Sequence, residues 1–416
     1  MSQLLGQIVR VRRTEDLTFV QPGLTDEIVV NANQLENSVQ STAACLLRTG
    51  FPFMVDPVLW RFQVPAWWRN DKGGLKRNYR RLGSAYARGT RIELPEGPLI
   101  NTVSSDAEWR TLAQNAVSYQ ATRLLAVPTQ LDLLVEGVPR ELRPVRIMAP
   151  ALVAYSPVED RCNHLLAAAS LAATDIPVVG QLIVPLARLL DARERRMVDS
   201  TVTEGIRSYI LWTPGVSEDL LLADHDVLAA ILHLVSRLAS RGITVTHGHA
   251  SYAIAALRDV GISAVMHHLG WVDRGEPVEQ QGFAIRSCRT YIPGVRHTDH
   301  FQNAADLGRL LGPEDYSERY CQCSFCAGVF EHGQHPLDLL LEDEAVSPSN
   351  KRRRPTSRAV AANTWHYLLS RRLEVEAFSG ESAADVVSRD LQRARSLAGG
   401  RDVDRLRRLA DAVRSA

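Results

Sequence analysis

Eight short β-branched or apolar runs recur along this chain with helical spacers between them, and that alternation constrains the fold more than any other feature. The runs are Phe51–Val55, Arg123–Pro128, Val145–Pro150, Pro177–Val184, Ser208–Trp212, Gly242–His247, Gly261–His267 and a last one at Ile285–Ile292. Between them, Asp226–Ser240 and Ser251–Val260 repeat apolar residues at helical spacing. Strands alternating with helices mean parallel βαβ units. About eight such units predict an α/β fold, a (β/α)8 TIM barrel rather than an open doubly wound sheet. No Gly-x-Gly-x-x-Gly follows the first run, which counts against a dinucleotide fold. With 416 residues, 45% hydrophobic and 23% charged, the chain can bury a large core, and disorder, collagen and coiled coil are excluded as its dominant state.

The pattern divides the chain into a barrel core over 1–312, a metal-binding subdomain with a basic insertion over 313–372, and C-terminal helices over 373–416. Within the second part, Ala345–Arg358 reads as an exposed loop or insertion. Helices are expected at Ser357–Arg372, Ala383–Ala398 and Val403–Ser415. The opening MSQLLGQIVRVRR lacks the apolar core of a signal peptide, and no stretch approaches about 18 uninterrupted apolar residues. A cytoplasmic protein with no membrane contact is the expectation.

Barrel enzymes build their sites where strands end. Polar or special residues stand there at Asp56, Gln181, Thr213-Pro214-Gly215, His247-Gly248-His249 and His267-His268. Singly, each is more often a hydrogen-bonded structural residue, and the plain alternative for Asp56 before Pro57 is an aspartate that ends a strand with a local hydrogen bond. Together they mark one rim.

Three of the six cysteines fall within six positions, as Cys321-Gln-Cys323-Ser-Phe-Cys326. In a reducing compartment this spacing reads as metal ligation, with three thiolates on one turn filling three corners of a Zn2+ tetrahedron. The fourth ligand must come from elsewhere. His332 and His335 are near in sequence, and His366 lies in a helical segment further on. A ligand on a helix packed against the cysteine turn would make the zinc structural. An iron–sulfur cluster would need a fourth thiolate, for which Cys288 is the nearby candidate.

Net charge is +1, yet the cations are unevenly placed. Only Lys72, Lys76 and Lys351 are lysines, so 45 of 48 basic residues are arginine. Between Arg61 and Arg91 stand Arg69, Lys72, Lys76, Arg77, Arg80, Arg81 and Arg88 with one acid, Asp71, and with Trp67, Trp68, Tyr79 and Tyr86 interleaved. Charge and aromatic faces together suit a nucleic acid, the plain alternative being a solvated face. Lys351-Arg-Arg-Arg354 forms a second run.

The order of a barrel, then Cys-x-Cys-x-x-Cys, then a helix bearing histidine resembles the tRNA-guanine transglycosylase family. The family's acid/base aspartate lies in a segment of the type Thr-Asp-Ser-Gly-Gly-aromatic-Gln-Val, and Asp56 with Phe62-Gln63-Val64 is similar to it, without the glycines and with two added residues. Gly180-Gln181 looks like the family's base-reading strand end, Thr213-Pro214-Gly215-Val216 like its Gly-Gly-Leu turn, and Ser357-Arg358-Ala359 like the start of its zinc helix. Three departures accompany these matches. The stretch Gly261–His268 holds no aspartate where the family has its nucleophile, the histidine is shifted by one helical turn to His366, and the Cys-to-His interval is longer.

The departures are most like the DpdA-type DNA 7-deazaguanine transglycosylases. The resemblance implies exchange of guanine for a 7-deazaguanine base such as preQ0 in DNA, a pentosyltransferase reaction. Asp56 would be the acid/base group, Asp273, the nearest downstream carboxylate, the nucleophile, and Gln181, Gly215, His247 and His267 the base-binding residues. Arg69, Lys72, Lys76, Arg77, Arg80 and Arg81 would hold the nucleic acid, and Cys321, Cys323, Cys326 and His366 the structural zinc. Implied partners are DNA or tRNA, the free base and accessory DNA-modification proteins, with a homodimer left open. Competing readings are a tRNA-guanine transglycosylase and a non-catalytic zinc-stapled barrel that binds nucleic acid.

Overall fold

The computed structural model describes residues 5–11, 14–70, 72–92, 94, 105–125, 127, 141–248, 252–269, 288–347, 350–398 and 400–415. Eight parallel strands form one sheet: β1 Gly6–Val11, β2 Glu27–Asn31, β3 Phe53–Asp56, β4 Ile147–Met148, β5 Val178–Ile183, β6 Ser208–Trp212, β7 Thr244–Gly248 and β8 Ile262–His268. Their order is β3-β2-β1-β8-β7-β6-β5-β4. At the seam between the two end strands, Val145 N–H donates to the Phe53 carbonyl at 2.9 Å, so the sheet closes into a (β/α)8 barrel. Ile8, Val29, Met54, Met148, Val179, Ile210, Ala264 and Met266 form one cluster inside it. Every strand thus contributes one side chain except β7, with β8 giving two, and the interior is a packed core.

The barrel is the one expected, but it is not built from all of the expected runs. Gly6–Val11 and Glu27–Asn31 supply the first two strands, ahead of the first run read from sequence. Arg123–Pro128 is not a strand in its described part: it ends the helix α3 (Asp106–Thr122) in a turn. The described part of the last run, Arg289–Ile292 (β9), pairs antiparallel with His297–His300 (β10) away from the barrel. Ala345–Arg358 is no irregular loop either. It contributes to a hairpin of Asp343–Ser347 (β11) and Asn350–Pro355 (β12), after which Thr356 caps the next helix.

Among the outer helices, α1 (Ala32–Thr49) connects β2 to β3, and α2 (Arg77–Tyr86) precedes α3. Helices α4 (Pro157–Ala172) and α5 (His225–Ser240) precede β5 and β7. A short helix α6 (Ser324–Glu331) carries Cys326, and α7 (Ser357–Gly380), α8 (Ala383–Leu397) and α9 (Arg401–Ser415) close the chain. Helix α7 runs eight residues past its expected end and packs back on the barrel: Ser379 Oγ accepts from Leu5 N–H at 3.1 Å and Arg372 pairs with Asp26 at 3.2 Å. Buried Arg296, left-handed at φ 54°, joins the β9–β10 hairpin to α7 through Glu374 and to α8 through Asp390, at 3.0 and 2.8 Å. No helix among the described residues is long and apolar enough to cross a membrane.

Candidate functional site

Side chains alternate along a strand, so the residues that share parity with the interior cluster face into the barrel. At the strand ends these are Arg10, Asn31, Asp56, Gln181, Trp212, Gly248 and His268. Asp56 is fully buried and ion-paired: its Oδ2 lies 2.7 Å from Arg10 Nη1. Its Oδ1 accepts from Val58 N–H at 2.8 Å, closing an Asx turn that holds Val58 at φ 50°. A buried β-branched residue in the left-handed region costs about 1–3 kcal/mol and persists only where its surroundings enforce it. Here the carboxylate does so, with Tyr86 Oη donating to the Pro57 carbonyl at 3.1 Å. Burial lowers the Arg10 pKa, and Asp56 opposes that shift.

Gln181 also faces inward, its Nε2 donating to the Ala149 carbonyl at 2.8 Å. Gly215 has φ 80° and is followed by a Val216 N–H to Thr213 carbonyl bond of 3.2 Å, a type II turn with Pro214 at its second position. The turn alone therefore requires glycine there. The two expected histidines are turned the other way. His247 and His267 share parity with Val245 and Val265 of the outer core, and His267 meets the Tyr367 ring of α7 edge-on at 5.4 Å. Burial pushes the His247 pKa down to about 4. His268, not His267, is the β8 histidine on the inward parity. Asp273 and His249 lie outside the described residues.

Above the strand ends the segment 58–68 folds over the mouth. Trp60 packs edge-on against Trp212 and Trp67, at 4.6 and 5.8 Å between ring centres. The Arg61 guanidinium sits 5.0 Å from the Trp60 ring and 4.9 Å from the Trp67 ring. Gln63 ties the segment to Val153 through both backbone groups, at 2.6 and 3.2 Å. Helix α2 follows. Its apolar stripe buries Tyr79, Leu82 and Tyr86, while Arg77, Arg80 and Arg81 are exposed, as are Arg69 and Lys72 before it. Among the described residues none of these five has an acidic partner. Lys76 instead donates to the Trp67 carbonyl at 3.0 Å. Trp68, Tyr79 and Tyr86 belong to the core rather than to an exposed stacking surface. In the second basic run, Arg353 and Arg354 are neutralised across the hairpin by Asp343 and Glu344, at 2.7 and 2.8 Å.

The four expected ligands converge. Cys321, Cys323, Cys326 and His366 offer ligand atoms all within 4.8 Å of one another, every residue is buried, and the group could hold a metal ion. His366 Nδ1 lies 3.6, 3.5 and 3.4 Å from the three sulfurs in turn. Its Nε2 faces the Tyr291 carbonyl at 2.9 Å, the partner that orients a ligating imidazole. Cys323 N–H donates to Cys321 Sγ at 3.3 Å. His335 caps a different helix, His332 faces the Gly328 carbonyl, and the Cys288 thiol points to Asp343, so none of them joins the cluster.

No family model matches the chain, and no curated protein matches it. Solved structures similar to it include a type I 3-dehydroquinate dehydratase from Clostridium difficile, at 9% identity over 64% of this chain and 85% of that one with a TM-score of 0.31. Xylanase B from Clostridium stercorarium F9 is 10% identical over 64% of this chain and 86% of its own, TM-score 0.29. A glucosidase from Croceicoccus marinus is 10% identical over 68% and 65%, TM-score 0.34. At such distances none of their activities transfers.

Arg10 is the mouth residue that sequence reasoning missed. Its signal was an arginine near the end of a short apolar run, inconspicuous among 45 arginines until Gly6–Val11 is recognised as a strand.

Proposed function

We propose that the protein is a base-exchanging pentosyltransferase that replaces guanine by a 7-deazaguanine base in DNA, built on a zinc-stapled barrel. The observation that carries this reading is the Cys3His cage. Tetrahedral zinc with Zn–S near 2.3 Å and Zn–N near 2.0 Å sets sulfur and nitrogen about 3.5 Å apart, and the three separations are 3.4 to 3.6 Å. All four positions are filled by protein, so zinc bound there supplies folding energy and no reaction chemistry. It fastens α7, the helix that packs on β1, to the cysteine turn, in the order that the transglycosylase resemblance implies.

The remaining support comes from the mouth. Breaking an N-glycosidic bond calls for a carboxylate near C1′ and for groups that handle the proton and carbonyl of the leaving base. Asp56 is the carboxylate at that level for the acid/base part, Gln181 an amide, and His268 an inward imidazole, while the C1′ carboxylate is Asp273 by the resemblance alone. The base reaches them only if extruded from a duplex or taken from a single strand, and the unneutralised arginines of α2 are placed to hold its backbone. The closed Arg10–Asp56 pair favours a second reading, a barrel that binds nucleic acid without reacting, because an acid/base role for Asp56 requires that pair to open.

One assay separates the two. Labelled guanine and preQ0 are offered to the purified protein with DNA and, separately, with tRNA, wild type beside Asp56→Ala. Incorporation into DNA that is lost in the variant supports base exchange. Incorporation into tRNA alone reassigns the polymer. No incorporation into either, with fold and metal intact, leaves the binding module.

A further inference from the structure

Two guanidinium groups lie within electrostatic reach of each other at the barrel mouth, and among the described residues one of them has no carboxylate partner. Arg10 is paired with Asp56, whereas among the described residues Arg61 reaches neutral oxygens, Asn33 Oδ1 at 3.1 Å and Tyr79 Oη at 3.2 Å. The two cations repel, for Arg61 adds to the lowering of the Arg10 pKa that burial begins. Donors are left over as well. Arg10 Nε, Arg61 Nε and Trp60 Nε1 are all buried N–H groups with no acceptor among the described residues, in side chains of which Arg10 is 5% and Trp60 3% exposed. A buried donor without an acceptor is costly, so surplus donors beside surplus positive charge describe a place for an acceptor-rich anion. Asn31 Oδ1 is one of the buried acceptors left without a hydrogen bond among the described residues, and an amide can rotate to present its NH2 instead.

We propose that Arg10 and Arg61, with Trp60 Nε1, bind a phosphate group at the mouth of the barrel. The Arg61 guanidinium lies 5.0 and 4.9 Å from the Trp60 and Trp67 rings, and its Nε–H is left for an in-plane acceptor of the kind that phosphate oxygens supply. Arg61 remains half-exposed, so the group is open to solvent on its side. The phosphate's source follows from the neighbouring surface. Tyr79, which accepts from Arg61, lies on the buried face of α2, whose opposite face carries Arg77, Arg80 and Arg81. A strand lying along those arginines would enter the mouth past Arg61. Resting on the nucleic-acid reading above, the bound group is then the phosphodiester next to the nucleotide whose base enters the barrel; free phosphate is the other source of the same chemistry.

Calorimetric titration of the full chain with inorganic phosphate, and then with a single-stranded oligodeoxynucleotide, tests this without reference to base exchange. Phosphate affinity is expected to fall about tenfold or more in Arg61→Gln, the loss of one charge-assisted contact. The paired variant Arg10→Gln/Asp56→Asn, which leaves no charge unpartnered, should show the same loss. Arg77→Gln should weaken the oligonucleotide alone. A neutral methylphosphonate at one linkage should lower oligonucleotide affinity in wild type and have no effect in Arg61→Gln. Phosphate binding unchanged in both mouth variants, or no phosphate binding together with indifference to the methylphosphonate, overturns the site. Phosphate that binds at these residues but is not displaced by the oligonucleotide overturns the phosphodiester assignment and leaves a small-molecule site. Loss of base exchange alone would touch none of these readouts.

Discussion

Arg10 Nη1 and Asp56 Oδ2 stand 2.7 Å apart across two strands, with β2 between them and both side chains closed to water. Removing one partner of such a pair leaves the other buried and uncompensated. Asp56→Asn, which keeps an oxygen for Val58 N–H, is expected to destabilise the protein by about 3–5 kcal/mol. Arg10→Met/Asp56→Asn should recover most of that loss. Urea unfolding of the wild type, the two single variants and the double variant gives the coupling, and additive losses would mean that the pair contributes nothing specific.

His247 supplies a pH signature. Its pKa in the folded protein is about 4 because burial disfavours the imidazolium, against 6.5 ordinarily. The unfolded chain therefore binds more protons between about pH 4 and 6.5, and stability falls as pH drops through that window. Complete protonation of the unfolded state costs about 3 kcal/mol of folding stability. His247→Phe should lose this part of the slope, so the stability difference between the two proteins at pH 7 should shift in favour of the variant by pH 5. Equal slopes in the two proteins would show that the imidazole titrates freely.

At the Cys3His cage the expected outcome is about one zinc per chain by elemental mass spectrometry. Cys323→Ser should abolish it and His366→Ala should lower it, because His366 is the ligand that α7 contributes. Chelation should loosen α7 before the barrel unfolds, detectable as faster amide exchange between 357 and 372. Stoichiometric zinc in His366→Ala would place the fourth ligand elsewhere.

The cage was legible in sequence because thiolates at that spacing have few other uses, and because the histidine sits on a helix whose start is also readable. The barrel was legible as a class, since fully buried strands read as continuous apolar runs. Individual strands were less so. Gly6–Val11 interrupts its run with Arg10, a charge that burial tolerates only through Asp56, a partner 46 residues away that periodicity cannot reveal. Arg123–Pro128 misleads in the opposite sense, its described part being the turn that ends α3, with Leu124 buried in the core. The facing of His247 and His267 depended on strand parity, which a histidine pair at a strand end leaves open until the register is known.

Gly180 tests a different part of the resemblance. It precedes Gln181 in the strand end that looks base-reading, yet its own role is packing: a Cβ there would fall 2.2 Å from the Tyr209 ring. Tyr209 Oη in turn accepts from Thr203 N–H at 2.8 Å. Gly180→Ala must displace the ring and break that bond, at a cost of about 1–3 kcal/mol. Gly180→Ala/Tyr209→Leu should regain part of the loss. A Gly180→Ala protein as stable as wild type would mean that the ring moves freely and that the glycine serves something other than packing.

The arginine face of α2 makes the last prediction. Arg77, Arg80 and Arg81 are exposed and have no acidic partner among the described residues, while Arg353 and Arg354 are spent on hairpin carboxylates. The two basic runs should therefore behave differently. Each α2 arginine that touches a phosphate releases counterions, so replacing it by alanine should weaken single-stranded DNA and lower the salt slope of log K by about 0.7. Arg353→Ala and Arg354→Ala should change neither. Affinities measured across a salt series for the five variants decide the matter. Equal slopes for wild type and the α2 variants would return that helix to a solvated face, with the +1 net charge of the chain then saying all there is to say about polyanions.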